Sequence, residues 1–195
     1  MVVPSPSPSD DKRDRRARLR AARAGFAHAG FALDGALPVP DAFRRRLAPG
    51  LTVASYVPLG DEADPAPFAD AARDAGCRIA LPHVAGRGAA KEVDRMRFLY
   101  PCGRDLENGP YGLLQPPADA AEAVPDIVLT PLLGFDRRGT RLGQGAGYYD
   151  RAFALLPNAW RVGIAWSVQE VETLVADPWD MPLHAIATEL EWIES

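Results

Sequence analysis

The sequence predicts an α/β fold, a three-layer sandwich in which a mixed, mostly parallel central sheet is flanked by helices. Three observations carry that prediction. Short apolar, β-branched runs alternate with helical stretches, the order that builds parallel strands joined by crossover helices. The 195 residues, 47% hydrophobic and 25% charged, can bury one core and are few for two. The most apolar run, "DIVLTPLL" from Asp126, leads after one turn into a glycine-rich stretch. Ligands of open α/β sheets bind there, outside the carboxyl ends of strands.

The elements follow in order. "MVVPSPSPSDD", residues 1–11, alternates proline and serine and is expected to be a disordered tail ahead of a single domain over 12–195. From Lys12 to about His28, Ala, Arg and Leu predict a basic helix. Asp41 is the expected N-cap of a short helix through Leu47. "LTVASYV", Leu51 to Val57, predicts a buried strand, "DPAPFADAARDAG" a helix ended by Gly76, and "CRIALPHV" a second strand, with a right-handed crossover between them. "RMRFLY" predicts another strand, Pro101 to Pro117 a loop-rich insertion, and "DIVLTPLL" the central strand. "GFDRRGT" reads as a turn, "DRAFALL" as a helix, "RVGIAW" as a strand, and "AIATELEW" as the strand that closes the sheet.

Composition excludes several functions. A formal net charge of −4 argues against a general nucleic-acid binder, so any basic site must be local. Lys12 and Lys91 are the only lysines. Cys77 and Cys102 are not in a paired metal-ligand spacing and are expected to be reduced and partly buried. No apolar run approaches the roughly 18 residues of a membrane span, and the start lacks a secretory signal, so a cytoplasmic protein is expected. His28, His83 and His184 suggest no zinc site, and no G-x-S-x-G supports a serine triad.

The stretch "RLGQGAGYYDR" carries the chemistry. Gly143, Gly145 and Gly147 together cost about 2 kcal/mol of order, so something must require them. Glycines between a strand and a helix can present a concave array of N–H donors to phosphate oxygens. Arg137, Arg138, Arg141 and Arg151 surround the loop in sequence. The dinucleotide pattern G-x-G-x-x-G fails at Tyr148, and the mononucleotide P-loop pattern lacks its lysine.

The whole string "DIVLTPLLGFDRRGTRLGQGAGYYDR" resembles the signature region of the 5-formyltetrahydrofolate cyclo-ligase family, through Pro131, Phe135, Asp136, Gly139, Arg141, Leu142, Gly143, Gly145, Gly147, Tyr148, Tyr149 and Asp150. Weaker similarities lie in "KRDRRARLR", "DEAD", "RMRFLY", "YGLLQPP" and "WDMPLHAIATE". The resemblance implies ATP-dependent conversion of 5-formyltetrahydrofolate to 5,10-methenyltetrahydrofolate in a cleft near the glycine loop. It implies that Lys12 and Arg16 contact ATP together with Arg141, Leu142, Gly143, Gln144, Gly145, Ala146, Gly147, Tyr148 and Tyr149. Val57, Glu62, Gln115 and Tyr148 would meet the folate, and Tyr148, Tyr149 and Arg141 would serve catalysis.

On that reading Asp150 is the best magnesium ligand, because hard oxygen donors suit the ion, although it could instead cap the following helix. Trp179 stands where the family commonly has His, and His184 where an acidic residue often helps hold magnesium, so a second ligand, Asp180 or His184 or neither, stays open. The implied partners are a reduced folate and ATP, without nucleic acid or membrane, acting on a monomer. Two alternatives remain: a paralogue with the same ATP loop and another small-molecule substrate, and a catalytically silent nucleotide- or RNA-binding module.

Overall fold

The computed structural model describes residues 8–29, 37–85, 95–101 and 103–195. Lys91, Cys102 and the first seven residues of the expected tail lie outside them. Helix α1, Pro8–His28, starts ahead of the expected Lys12. Helix α2, Asp41–Arg44, has Pro40 as its N-cap, which makes Asp41 the first helical residue instead of the cap. There follow β1, Thr52–Ala54, α3, Ala66–Asp74, β2, Arg78–Val84, and β3, Met96–Leu99. The insertion holds β4, Glu107–Asn108, and β5, Leu114–Gln115, and β6 is Glu122–Ala123. Then come β7, Ile127–Pro131, β8, Gly134–Phe135, β9, Arg141–Leu142, and α4, Tyr148–Leu155. The chain ends with β10, Trp160–Ile164, β11, Ala185–Ala187, and β12, Trp192–Glu194.

Eight strands form one sheet in the order β12-β11-β10-β7-β1-β2-β3-β6. The pairs β1·β2, β1·β7, β7·β10 and β10·β11 are parallel. The joints β2·β3, β3·β6 and β11·β12 are antiparallel. The run "DIVLTPLL" lies inside the sheet as expected, with Val53 opposite Ile127 on one side and Val162 opposite Leu129 on the other. The first four residues of β7, Ile127 to Thr130, are buried, as a strand covered on both faces requires.

Alternation along the strands sorts the two cores. Val53, Leu129, Val162 and Ile164 pack with Phe43 of α2 and Phe68 of α3. Their neighbours Ala54, Ala80 and Val128 pack with Ala152 and Phe153 of α4 on the other face. Each fully buried phenylalanine contributes about 1.5–3 kcal/mol, so these faces fix which helix covers which side.

The expected turn "GFDRRGT" proves to be a hairpin between β8 and β9, and "AIATELEW", expected as one closing strand, divides into β11 and β12 at a turn in which the Thr188 hydroxyl accepts from the Leu190 and Glu191 amides at 3.3 and 3.1 Å. Cys77 is a free, buried thiol. One topological feature positions everything that follows. From β1 the chain steps to β2 on one side and later returns through β7 on the other, so strand order reverses between β1 and β7. A crevice opens at such a switch point, outside the carboxyl ends of the two strands.

Candidate functional site

Each side of the switch point supplies one wall. Beyond β7, the β8–β9 hairpin is tied by Asp136, whose carboxylate accepts from the Arg138, Thr140 and Leu174 amides at 3.1, 3.1 and 3.0 Å and from Arg138 Nη2 at 2.8 Å. Burial raises the Asp136 pKa, but these donors outweigh it and hold the group below the ordinary carboxylate value. Gly139 closes the turn at φ +80, with the Leu183 carbonyl 2.4 Å from where a Cβ would sit.

The hairpin delivers the glycine loop between β9 and α4. Gly145 and Gly147 have φ of 106 and 68, the left-handed region. Among the described residues, none of the hydrogen bonds uses a backbone N–H from Gly143 to Gly147. The loop's oxygens, by contrast, are engaged. Arg16 Nε donates to the Gly143 carbonyl at 3.0 Å, Arg151 Nη2 to the Ala146 carbonyl at 3.0 Å, and Arg20 to Gln144 Oε1 at 3.1 and 3.2 Å. Donors therefore remain for a polyanion while the carbonyls of Gly143 and Ala146 are covered, which fits a triphosphate.

Arg141 is buried on β9, its guanidinium 5.0 Å from the Phe153 ring centroid and bonded through Nη2 to Asp150 in the first turn of α4. Arg141 Nε is buried and has no partner among the described residues. Burial lowers the Arg141 pKa, opposed by the charges of Asp150 and Asp180. Burial likewise raises Asp150, against Arg141, with the negative charge of Asp180 adding to the rise. Among the described residues no three His, Cys, Asp or Glu side chains cluster as a metal cage. A magnesium ion bound mainly to phosphate needs only one or two carboxylates, so Asp150 fits.

His184 is committed elsewhere: Nδ1 accepts from the Arg161 amide at 3.0 Å, and Nε2 lies 3.0 Å from Arg161 Nη2. Burial, then Arg161 and Arg46, lower its pKa. Lys12 Nζ donates to Asp177 at 2.6 Å.

Beyond β1, the other wall is the turn that carries Glu62. Tyr56 donates to the Ala63 carbonyl at 2.6 Å and Trp166 Nε1 to the Asp61 carbonyl at 3.1 Å, which fixes the turn from below and from the side. The Leu59 amide donates to Glu62 Oε2 at 3.1 Å. Burial raises the Glu62 pKa, against the Leu59 amide, the charge of Arg23 and the Gln144 side-chain amide. Gln144 stands between the two walls: its Oε1 accepts from Arg20, and its side-chain amide is close enough to Glu62 to oppose the rise in that pKa. Half-buried Val57 starts the same turn.

Tyr148 and Tyr149 open α4 between these walls. Tyr149 packs on Phe153, ring centroids 5.9 Å apart. Its pKa is pushed far above the phenol range by burial and then by Glu62, with Arg141 opposing. Tyr148 carries the Arg151 guanidinium 5.2 Å from its ring centroid and meets Tyr111 edge-on at 6.5 Å. Tyr111 is 59% exposed and stands at φ 61, the one non-glycine residue among those described with positive φ. Such strain costs about 1–3 kcal/mol and clusters at binding sites.

The structure thus gathers Arg16, the loop from Arg141 to Gly147, Tyr148, Tyr149, Asp150 and Glu62. Besides Lys12, paired with Asp177, and His184, held by Arg161, it gives three more predicted residues other contacts. Gln115, expected on the substrate, is clamped to Val84, accepting from its amide at 3.0 Å and donating to its carbonyl at 3.3 Å. The reason is local: β5 lies beside the end of β2, where that backbone would otherwise be buried unpaired. Arg137 pairs with Glu170 and Glu191, and Arg138 with Asp136, so both hold the hairpin's surroundings instead of offering charge to the loop. Sequence reasoning missed Arg20, Arg23 and Tyr111. The signal for the arginines was present: Lys12, Arg16, Arg20 and Arg23 are spaced to share a helix face.

Comparisons with known proteins agree with this geometry. The profile of the 5-formyltetrahydrofolate cyclo-ligase family matches residues 8–189. The 5-formyltetrahydrofolate cyclo-ligase of Haemophilus influenzae is 37% identical over 87 residues, 42% of this chain and 46% of that protein. The one from Escherichia coli strain K12 is 34% identical over 148 residues, 70% of this chain and 77% of that protein. The match thus spans about half the length of the first relative and about three quarters of the second. In fold, the chain is similar to the NMR structure of Aquifex aeolicus 5,10-methenyltetrahydrofolate synthetase, with a TM-score of 0.65 at 23% identity over 94% of this chain and 92% of that one.

Proposed function

Because the chain belongs to the 5-formyltetrahydrofolate cyclo-ligase family, we propose that it converts 5-formyltetrahydrofolate to 5,10-methenyltetrahydrofolate, with ATP giving ADP and phosphate. The observation that carries this reading is the meeting of a donor-rich glycine loop and a buried glutamate across the β1/β7 switch point, with Gln144 between them.

The chemistry explains why both walls are needed. A formamide carbonyl is a poor electrophile and its oxygen a poor leaving group. Transfer of the γ-phosphoryl group to the formyl oxygen cures both faults. N10 then attacks the formyl carbon and gives up its proton to solvent, the C–O bond breaks, and phosphate departs with that oxygen. The protein's task is positioning and charge stabilisation.

The loop amides from Gly143 to Gly147 hold phosphate oxygens, with Leu142 and Ala146 fixing the loop's backbone and Arg16 and Lys12 adding positive charge from α1. Arg141 keeps one buried N–H for the transferring group. Tyr149, which stays protonated, donates a hydrogen bond where charge develops, and Tyr148 with Tyr111 offers aromatic faces to the pterin. Glu62 accepts from the pterin's N–H donors, which an apolar pocket would leave unpaired, and Val57 lines the same side. Magnesium, held by Asp150, would supply neutralising charge on the phosphates. Gln115 supports the site through Val84 without touching substrate.

The reading includes a monomeric, cytoplasmic enzyme with no nucleic-acid or membrane partner. The net charge of −4 supports the absence of nucleic acid, and among the described residues no helix is long and apolar enough to cross a membrane. The test mixes protein, 5-formyltetrahydrofolate, ATP and magnesium and follows the near-ultraviolet absorbance of the methenyl product. ATP-dependent absorbance that Tyr148→Ala suppresses without unfolding the protein is the expected result. Nucleotide binding without product from this folate would overturn the reaction.

A further inference from the structure

Arg23 is a buried charged group that the mechanism above leaves unused. It lies on α1 one helical turn beyond Arg20, and its side chain and that of Glu62 are each 9% exposed. Arg23 Nη1 stands 3.6 Å from Glu62 Oε1, near enough for an ion pair and too far for a hydrogen bond. Its Nε and Nη1 are buried with no hydrogen-bond partner among the described residues.

A buried guanidinium with idle donors is costly unless something uses them. Among the described residues the one carboxylate in ion-pair reach is Glu62, whose Oε2 is fixed by the Leu59 amide, while Oε1 faces Arg23. The other groups around Glu62 are Tyr56 and Tyr149, which carry no charge while protonated, Asp64 on the same turn, and the neutral amide of Gln144. Among these, only Arg23 supplies a positive charge to a carboxylate that burial disfavours. The pair is formed between α1 and the turn after β1, so it also fixes the angle at which the turn presents its carboxylate to the cleft.

We propose that Arg23 is a positioning residue for folate recognition: its guanidinium holds the Glu62 carboxylate ionised and aimed at the pterin. The proposal rests on the folate reading above, but part of it is electrostatic and can be measured without turnover. An ionised Glu62 accepts two hydrogen bonds from neighbouring N–H groups of a pterin, whereas a protonated one can accept fewer and must donate one.

The test uses Arg23→Met and Arg23→Lys in the full chain. In protein labelled with carboxyl-13C glutamate, the Glu62 signal, assigned by its loss in Glu62→Gln, is expected to titrate at higher pH in Arg23→Met, and nearer to the wild-type position in Arg23→Lys. In kinetics, Arg23→Met is expected to raise KM for 5-formyltetrahydrofolate about tenfold at pH 6, the equivalent of one pKa unit. That penalty should shrink towards pH 9, while KM for ATP stays within about twofold.

Adding Glu62→Gln to Arg23→Met should cost little more than Glu62→Gln alone, because the two act as one unit. If Arg23→Met does not fold, Arg23→Lys keeps the charge without the planar fork and should show a smaller change of the same sign. An unmoved Glu62 titration in every folded variant overturns the proposal, as does a loss equal at all pH values. A moved titration in a protein that makes no methenyl product from this folate would keep the Arg23–Glu62 coupling and remove the folate reading.

Discussion

Replacing Gly147 by alanine separates what the glycine loop does from what merely keeps it folded. Gly147 is the N-cap of α4 at φ 68, and a left-handed conformation costs an L-residue about 1–2 kcal/mol. A Cβ there would sit 2.9 Å from Arg151 Nη1, the end of a flexible side chain that can swing away. Doing so gives up the bond to the Ala146 carbonyl and the contact with the Tyr148 ring, about 0.5–1 kcal/mol each at a surface.

The sum, about 2–4 kcal/mol, lowers Tm by roughly 5–15 °C for a chain of this length. The protein still folds at 25 °C. Relaxing the loop to normal φ angles turns one or two amides off the phosphates, each charge-assisted bond being about 1.5 kcal/mol, so KM for ATP should rise about tenfold or more. Gly139→Ala is the control. Its Cβ would meet the Leu183 carbonyl at 2.4 Å and Ser195 Cβ at 2.9 Å, and neighbouring backbone cannot step aside as a side chain does. That variant should lose more stability than Gly147→Ala, while its folded fraction keeps the wild-type KM. Calorimetry with initial rates against ATP decides the matter. A folded Gly147→Ala with unchanged KM and kcat for ATP would refute the phosphate-cradle argument.

Three other outcomes are expected. Gln115→Ala leaves the Val84 amide and carbonyl unpaired and should cost about 1–3 kcal/mol of stability, read by urea unfolding, with KM for folate within about twofold; a large KM change at intact stability would restore Gln115 to the substrate. The folded Asp136 pKa lies below its ordinary value of 3.8, so its stabilising share is fully present above that value and lost as pH falls through the depressed one. The Tm gap between wild type and Asp136→Asn should therefore narrow below about pH 3.8, and a gap independent of pH down to acid unfolding would contradict it. Burial raises the pKa of both Tyr56 and Tyr149 far above the ordinary phenol value of about 10; ultraviolet titration of Tyr149→Phe should lose no absorbance step near pH 10, and losing one would show Tyr149 exposed.

What the sequence revealed and what it hid divide along physical lines. The central strand and the loop after it were legible because burial on both faces leaves a continuous apolar run, and because glycine is the cheap residue at positive φ. Strand ends were less legible: Ser55 to Val57 are as apolar or small as the strand before them, yet the chain leaves the sheet after Ala54 to build the turn that carries Glu62. Gln115 was placed on the substrate by the likeness of "YGLLQPP" to the family's pattern, and its side chain instead bonds the Val84 backbone. What selects it is an unpaired stretch of backbone at Val84, which no pattern around residue 115 reports. The pairing of Arg23 with Glu62 is tertiary, made by docking α1 against the turn after β1, and α1 holds several arginines of equal standing in composition.

The arginines of α1 also explain why a site built on backbone amides needs so much positive charge that never has to touch phosphate. A glycine loop presents carbonyl oxygens as readily as N–H groups, and oxygens turned towards a triphosphate would repel it. Arg16 and Arg151 take the carbonyls of Gly143 and Ala146, and Arg20 takes the Gln144 side-chain oxygen. Each of the two backbone bonds both neutralises a repelling dipole and turns its peptide so that the attached N–H points the other way. Helix α1 therefore acts on the nucleotide largely through the loop. It follows that Arg16→Met should weaken ATP binding as strongly as the loss of a direct phosphate contact, but with a smaller dependence on salt, because the charge removed is paired with a carbonyl and not with the triphosphate. Isothermal titration of wild type and Arg16→Met with ATP at two salt concentrations distinguishes the cases. An affinity loss that disappears at high salt would place Arg16 directly on the phosphates.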